Sequence, residues 1–145
     1  MNILIIDAQG GGVGRQLVIA IRARFPDADI TAVGTNAAAT SAMMKAGASR
    51  AATGENAVVV CSRKADVIVG AIGIVIADAM LGEITPRMAA AVAQSGAKRI
   101  LLPVSHCDNI VAGVQGQTVA RLVDAAVQEL EKLQEGSCCG AGSTV

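Results

Sequence analysis

The sequence has no tryptophan, no tyrosine, one phenylalanine, one histidine and three prolines. Without tyrosine, a Tyr-Lys catalytic couple of the short-chain dehydrogenase kind is excluded, and one Phe cannot build a platform that stacks nucleobases or a flavin ring. Neither sign of charge is in excess, because 12 Lys and Arg face 12 Asp and Glu. That balance argues against a nucleic-acid partner and against an anionic membrane surface. Long hydrophobic runs are missing too. The longest uncharged apolar stretch, between Asp66 and Asp78, is about half of the ~20 residues a spanning helix requires, so no membrane span is expected. Met1 leads directly into Asn2-Ile3-Leu4 with no basic segment or small-residue cleavage site, which predicts no secretory leader. Four cysteines in such a chain fit a reducing, cytoplasmic setting better than a disulfide framework.

What is abundant is core-forming sequence. Of 145 residues, 52% are hydrophobic and 17% charged, the balance of one well-packed globular domain. Asn2 to Asp7 is a run of Ile and Leu ending in an acid, as expected of a central parallel strand buried on both faces. A glycine-rich turn follows, then Leu17, Val18, Ile21 and Phe25 at helical spacing, stopped by Pro26. Ile30 to Val33 reads as a second strand, and Asn36 as the cap of an Ala- and Met-rich helix closed by Gly47. Ser49 to Ala52 is a candidate third strand, with Thr53 capping a helix from Gly54 to Lys64. The valines at 58–60 also suit a strand, but only a few residues separate Cys61 from the strand at Val67 to Gly70, too few for a parallel crossover. The helix is therefore preferred. Thr85-Pro86 opens a helix to about Ser95, Arg99 to Val104 is a further strand, Ile110 to Val114 a candidate edge strand, and Val119 to Gln134 a final amphipathic helix. This alternation predicts an α/β fold, a three-layer, doubly wound, mostly parallel sheet over residues 1–134, with a flexible cysteine-containing tail at 135–145.

In such a sheet, ligands bind outside the carboxyl ends of the strands. The unusual polar and glycine residues fall at those ends: Asp7 and Gln9 to Arg15 after the first strand, Gly34, Thr35 and Asn36 after the second, Thr53, Gly54, Glu55 and Asn56 after the third, and Gly70 and Gly73 after the fourth. The glycine loop matches no phosphate motif in full. Setting Gly14 as the last glycine of G-x-G-x-x-G places Gly11 correctly but leaves Gln9 at the first position. The P-loop pattern again meets Gln9, and finds Arg15 and Gln16 instead of its lysine and hydroxyl. The loop also resembles the deviant Walker motif of ParA-like ATPases, whose two lysines are here Gly10 and Arg15. What survives is physical: backbone N–H groups of Gly10, Gly11, Gly12, Val13 and Gly14 ahead of a helix, with Arg15 adding charge, favour an anion. The acid that holds a dinucleotide's ribose at the end of the second strand is missing, which weakens an NAD assignment.

His106 is the sole imidazole, but Ser105, His106, Cys107 and Asp108 are sequential neighbours and cannot by themselves form a catalytic relay. The adjacent Cys138 and Cys139 are candidates for soft-metal binding or thiol exchange, with Cys107 a weaker one. No C-x-x-C pair is present, so a zinc or iron–sulfur motif is unsupported.

Several blocks together carry a resemblance: Ile6-Asp7-Ala8-Gln9 running through Gly14, Gly34-Thr35-Asn36-Ala37, Ala52-Thr53-Gly54-Glu55-Asn56-Ala57, Ala65-Asp66-Val67-Ile68-Val69-Gly70 and Leu81-Gly82-Glu83-Ile84-Thr85-Pro86. Over roughly Met1 to Val114 the sequence resembles the uncharacterised domain of unknown function (DUF) 3842 family of small bacterial proteins. The resemblance implies a Rossmann-like fold and a cytoplasmic protein. It carries no activity and no catalytic residue, and the cysteine tail lies outside the matching blocks.

Three functions remain in view. The first is binding of a nucleotide, NAD(P) or an adenine nucleotide, or another phosphate-containing small molecule at the rim. The second is a sulfur or metal carrier acting through the Cys138-Cys139 tail. The third is a non-catalytic homo-oligomeric scaffold joined through the small-residue helix at Ala37 to Ala46.

Overall fold

The computed structural model describes residues 1–104, 109–114 and 116–138, with Ser137 and Cys138 described by their backbone alone. Elements follow in the order β1 (Asn2–Asp7), α1 (Gly12–Arg24), β2 (Asp29–Gly34), α2 (Ala37–Lys45), β3 (Arg50–Thr53), α3 (Glu55–Lys64), β4 (Val67–Ala71), a 3-10 turn (Ile72–Val75), α4 (Pro86–Gln94), β5 (Lys98–Leu102) and α5 (Val119–Cys138). The strands form one five-stranded sheet in the order β3-β2-β1-β4-β5, and every pairing is parallel. This is a Rossmann-like doubly wound α/β fold.

Alternation along β1 explains why it reads as a continuous apolar run. Ile3 and Ile5 join one core layer with Leu17, Val18 and Ile21 of α1, Met43 of α2 and Val123, Ala126 and Leu130 of α5. Leu4 and Ile6 join the opposite layer with Val58 of α3 and Met88, Ala89 and Val92 of α4. All four β1 side chains are essentially inaccessible, and each contributes about 1.5–3 kcal/mol by leaving water. Both faces are covered, as a parallel sheet requires.

The capping chemistry is local. Asn36 accepts from the Ala39 N–H at 2.9 Å to start α2, and Thr85 accepts from the Met88 N–H at 3.1 Å ahead of Pro86. Residues 55–64 form the preferred helix. Its cap is Gly54, at φ +103°, and not Thr53, which closes β3 and shares a 2.7 Å hydrogen bond with the Thr40 hydroxyl. The expected edge strand at Ile110 to Val114 is absent. Gly113 stands at φ +84°, the Val114 N–H folds back to the Val111 carbonyl at 3.3 Å, and Ile110 is 95% exposed, so the segment turns instead of pairing. β5 stops at Leu102, because Pro103 has no N–H to continue the ladder. α5 runs four residues past the expected Gln134. No helix among the described residues is long and apolar enough to cross a membrane.

Candidate functional site

Strand order reverses between β1 and β4: the chain moves outward from β1 through β2 to β3, then returns to β4 on the other side. The loops after these two strands therefore diverge and leave a crevice at the carboxyl end of the sheet. A cavity of about 210 Å³ lies there. One wall is the turn from Asp7 to Val13. The other comes from Ala71 at the end of β4 and Ile72 and Gly73 after it, together with Ile76, Ala79 and Met80 of the connection to α4. A second cavity, of about 330 Å³, shares Ile72, Val104 and Asn109 with it.

Asp7 organises the glycine turn. It is 5% exposed and points inward, with Oδ1 accepting from the Ala8 N–H at 2.8 Å and Oδ2 from the Gly14 N–H at 2.6 Å. Gly11, the residue capping α1, has no side chain to offer, so the carboxylate of Asp7 takes one N–H of the first helical turn, that of Gly14, from outside the helix. Desolvation by burial raises the Asp7 carboxyl above its ordinary value. The two N–H bonds pull it down, and the nearby Glu83 carboxylate pushes it up again.

The glycines divide into two kinds. Gly11 has φ +73°, and a Cβ there would lie 2.8 Å from the Ala39 Cα and 3.0 Å from its carbonyl oxygen. A Cβ on Gly14 would meet the Met43 sulfur at 2.5 Å and the Asp7 Cβ at 2.8 Å. Both positions exist so that α1 can pack closely on its neighbours. Gly10 and Gly12 also line the turn, yet a Cβ on either meets nothing within 4 Å. The N–H groups of Gly10, Gly12 and Val13 have no hydrogen-bond partner among the described residues. Three free donors thus stand at a helix N-terminus, beside a cavity that Asp7 also lines.

The other rim candidates take different places. Gly34 lets α2 approach, since a Cβ would stand 2.5 Å from the Thr40 nitrogen, and Gly70 does the same beneath the Ile6 carbonyl at 2.8 Å. Gly73 lines the cavity. Arg15 is exposed on α1 and has no ion-pair partner among the described residues. Glu55 pairs with Arg87 of α4 at 3.4 Å, Asn56 is exposed, and Thr53 and Gly54 belong to the β3–α3 junction, so this group is not drawn to the cavity. His106, Cys107 and Cys139 lie outside the described residues, as does the Cys138 side chain. Among the described residues, no cluster of three His, Cys, Asp or Glu is placed to hold a metal ion.

One residue was given no role from sequence. Glu83, on the connection between β4 and α4, reaches over to the ends of β1 and β2. Its carboxylate accepts from the Gln9 N–H at 3.1 Å, the Thr35 hydroxyl at 2.9 Å and the Asn36 amide at 2.7 Å. Desolvation alone raises this carboxyl, but the bonds from Asn36, Thr35 and Gln9 together outweigh it and hold the group below its ordinary value. Gly82, at φ +88°, precedes Glu83 in the turn and is the local signal for a built loop there.

Comparison with known proteins identifies the family. Residues 2–135 match the family described as a domain of unknown function (DUF3842), and the chain belongs to it. No curated protein matches. Among solved structures, an apo histidine-tagged saccharopine dehydrogenase (L-Glu forming) from Saccharomyces cerevisiae is similar at 16% identity and a TM-score of 0.47 over 89% of this chain. The chain spans only 23% of that protein. A dodecameric FMN-dependent Ubix-like decarboxylase from Escherichia coli O157:H7 is similar at 13% identity and a TM-score of 0.43, covering 92% of this chain and 94% of the other.

Proposed function

We propose that this member of the DUF3842 family binds a phosphate-containing small molecule, a nucleotide by preference, in the crevice between β1 and β4. The observation that carries the reading is the set of free N–H groups at Gly10, Gly12 and Val13, which open at the start of α1 onto a cavity at the switch in strand order. A phosphate seated on those donors takes up the unsatisfied end of the helix, and Arg15 one turn along supplies the compensating charge. The walls contributed by Ile72, Ile76 and Met80 are apolar and suit the uncharged part of such a ligand. The cavity is smaller than the ~300 Å³ typical of a pocket enclosing a whole drug-sized ligand, so it accommodates the phosphate end and leaves the remainder on the rim.

Asp7 is a positioning residue in this scheme. Both of its oxygens are engaged in holding the two ends of the turn that carries the free N–H groups. The test is titration calorimetry with AMP, ADP, NAD and NADP against the wild-type chain and Gly12→Asp. Saturable binding by at least one nucleotide, abolished when a carboxylate is set at Gly12, supports the reading. No heat from any of the four, or equal binding by the variant, refutes it.

A further inference from the structure

Beside the free N–H groups of the glycine turn lies a second set of donors, and these are occupied from within the chain. The Gln9 N–H, the Thr35 hydroxyl and the Asn36 amide come from three separate backbone positions at the ends of β1 and β2, and all three converge on the Glu83 carboxylate. Oε1 alone takes Asn36 at 2.7 Å, Thr35 at 2.9 Å and a longer bond from Gln9 at 3.2 Å. The starts of α1 and α2 flank the group, since Gln9 precedes α1 and Asn36 caps α2. The Asn36 amide also donates to the Gln9 carbonyl at 2.9 Å, which fixes its orientation toward the carboxylate. Three converging donors between two helix N-termini are complementary to an anion.

The segment that brings Glu83 there is built as a short protruding turn. Its base is fixed: Ala79 and Ile84 are buried, and the Ile84 N–H donates to the Ala79 carbonyl at 3.2 Å. Above the base, Met80 and Leu81 stand at φ +57° and +58°, and Asp78 at +65°, three non-glycine residues in the left-handed region within four positions. Leu81 at the tip is 96% exposed. The same turn places Met80 in the wall of the cavity and Glu83 on the donor set, so the two places are neighbours on either side of Gln9.

From this geometry we infer that Gln9, Thr35 and Asn36 form a second anion subsite, for which the Glu83 carboxylate is an internal stand-in that a phosphate monoester displaces. The inference rests on the nucleotide-binding reading and extends it. The ligand carries a second phosphate, on the β2 side of the glycine turn, and the Glu83 side chain swings away to admit it while the base of the turn stays fixed. Displacement is an exchange of one acceptor for another on the same donors, and it needs no change in the sheet.

The experiment is a residue-resolved amide NMR titration with inorganic phosphate as probe, on wild type, Glu83→Gln, Glu83→Ala and Glu83→Ala with Thr35→Val. Without the internal carboxylate, the Gln9, Thr35 and Asn36 amides respond at a phosphate concentration about tenfold lower than in wild type, and Thr35→Val removes that gain. Glu83→Gln keeps the shape and an acceptor oxygen, so it folds, and it falls between wild type and Glu83→Ala; should Glu83→Ala not fold, Glu83→Gln decides alone. Equal or weaker responses in the Glu83 variants, or no response at these three amides, overturn the inference. Amides of Gly10, Gly12 and Val13 in the same spectra report separately on the first subsite, so failure of one reading is told from failure of the other.

Discussion

A methyl group added at each glycine of the turn separates those that hold the fold from those that face the ligand. Alanine at Gly11 takes a left-handed backbone, which costs an L residue about 1–2 kcal/mol, and its Cβ stands 2.8 Å from the Ala39 Cα. That contact is with helix backbone and cannot be relieved by a rotamer change, so α1 and α2 must separate, at a further cost of about 1–3 kcal/mol. Reduced freedom of the unfolded chain returns about 0.4–1 kcal/mol. The net loss for Gly11→Ala is about 3 kcal/mol, equivalent to a Tm lower by about 9 °C in a chain of this size. Gly12→Ala has neither penalty: its φ is unremarkable and its Cβ meets nothing within 4 Å. It keeps the wild-type Tm within about 2 °C, or raises it slightly, while placing a methyl group beside the free N–H groups and weakening nucleotide binding. Paired thermal melts and calorimetric titrations on the two variants measure this. A Gly11→Ala chain as stable as wild type, or a Gly12→Ala chain that loses several degrees, refutes the division of the glycines.

Further outcomes follow from the two carboxylates. Asp7→Ala leaves the Ala8 and Gly14 N–H groups without acceptors and lowers stability by about 3 kcal/mol, seen as an earlier urea midpoint with an unchanged slope. Because the folded Asp7 carboxyl titrates above its ordinary value, its ionised form is a burden that disappears as pH falls through the folded value toward the unfolded one. Wild type therefore gains stability relative to Asp7→Asn across that acidic window; a constant difference in urea midpoints would contradict the assignment. Glu83 has the opposite sign. Its folded value is depressed, so its contribution is full above the ordinary glutamate value and is lost as pH falls through the folded one. The stability difference between wild type and Glu83→Gln shrinks on acidification, and a difference that widens would rule out the donor set described for it.

The readable parts of the fold were those decided by local chemistry. Ile3 to Ile6 announce a strand buried on both faces because each face carries its own helices, and Asn36 and Thr85-Pro86 mark helix starts through bonds that span three residues. The helix at 55–64 was legible through connection length, which outweighed the strand propensity of its valines. Its cap was not, because the chain crosses from β3 to α3 at φ +103° and only Gly54 suits that angle. Ile110 to Val114 misleads because apolar residues look like a strand wherever a neighbouring edge is imagined, whereas Gly113 turns the segment away. The glycine turn was legible as the link from β1 to α1, but the inward direction of Asp7 was not, since a strand-terminal acid faces a ligand or the backbone with equal ease. Glu83 meets Gln9 across 74 positions of sequence, and no periodicity records such a contact.

The most direct test of phosphate binding in the crevice is native mass spectrometry of the chain as first purified, compared with its denatured mass. A non-covalent excess the size of a nucleotide is expected on the wild type, retained by Gly96→Ala just before β5 and lost from Gly12→Asp. An excess that persists in Gly12→Asp, or a bare wild-type mass that added nucleotide does not change, contradicts it.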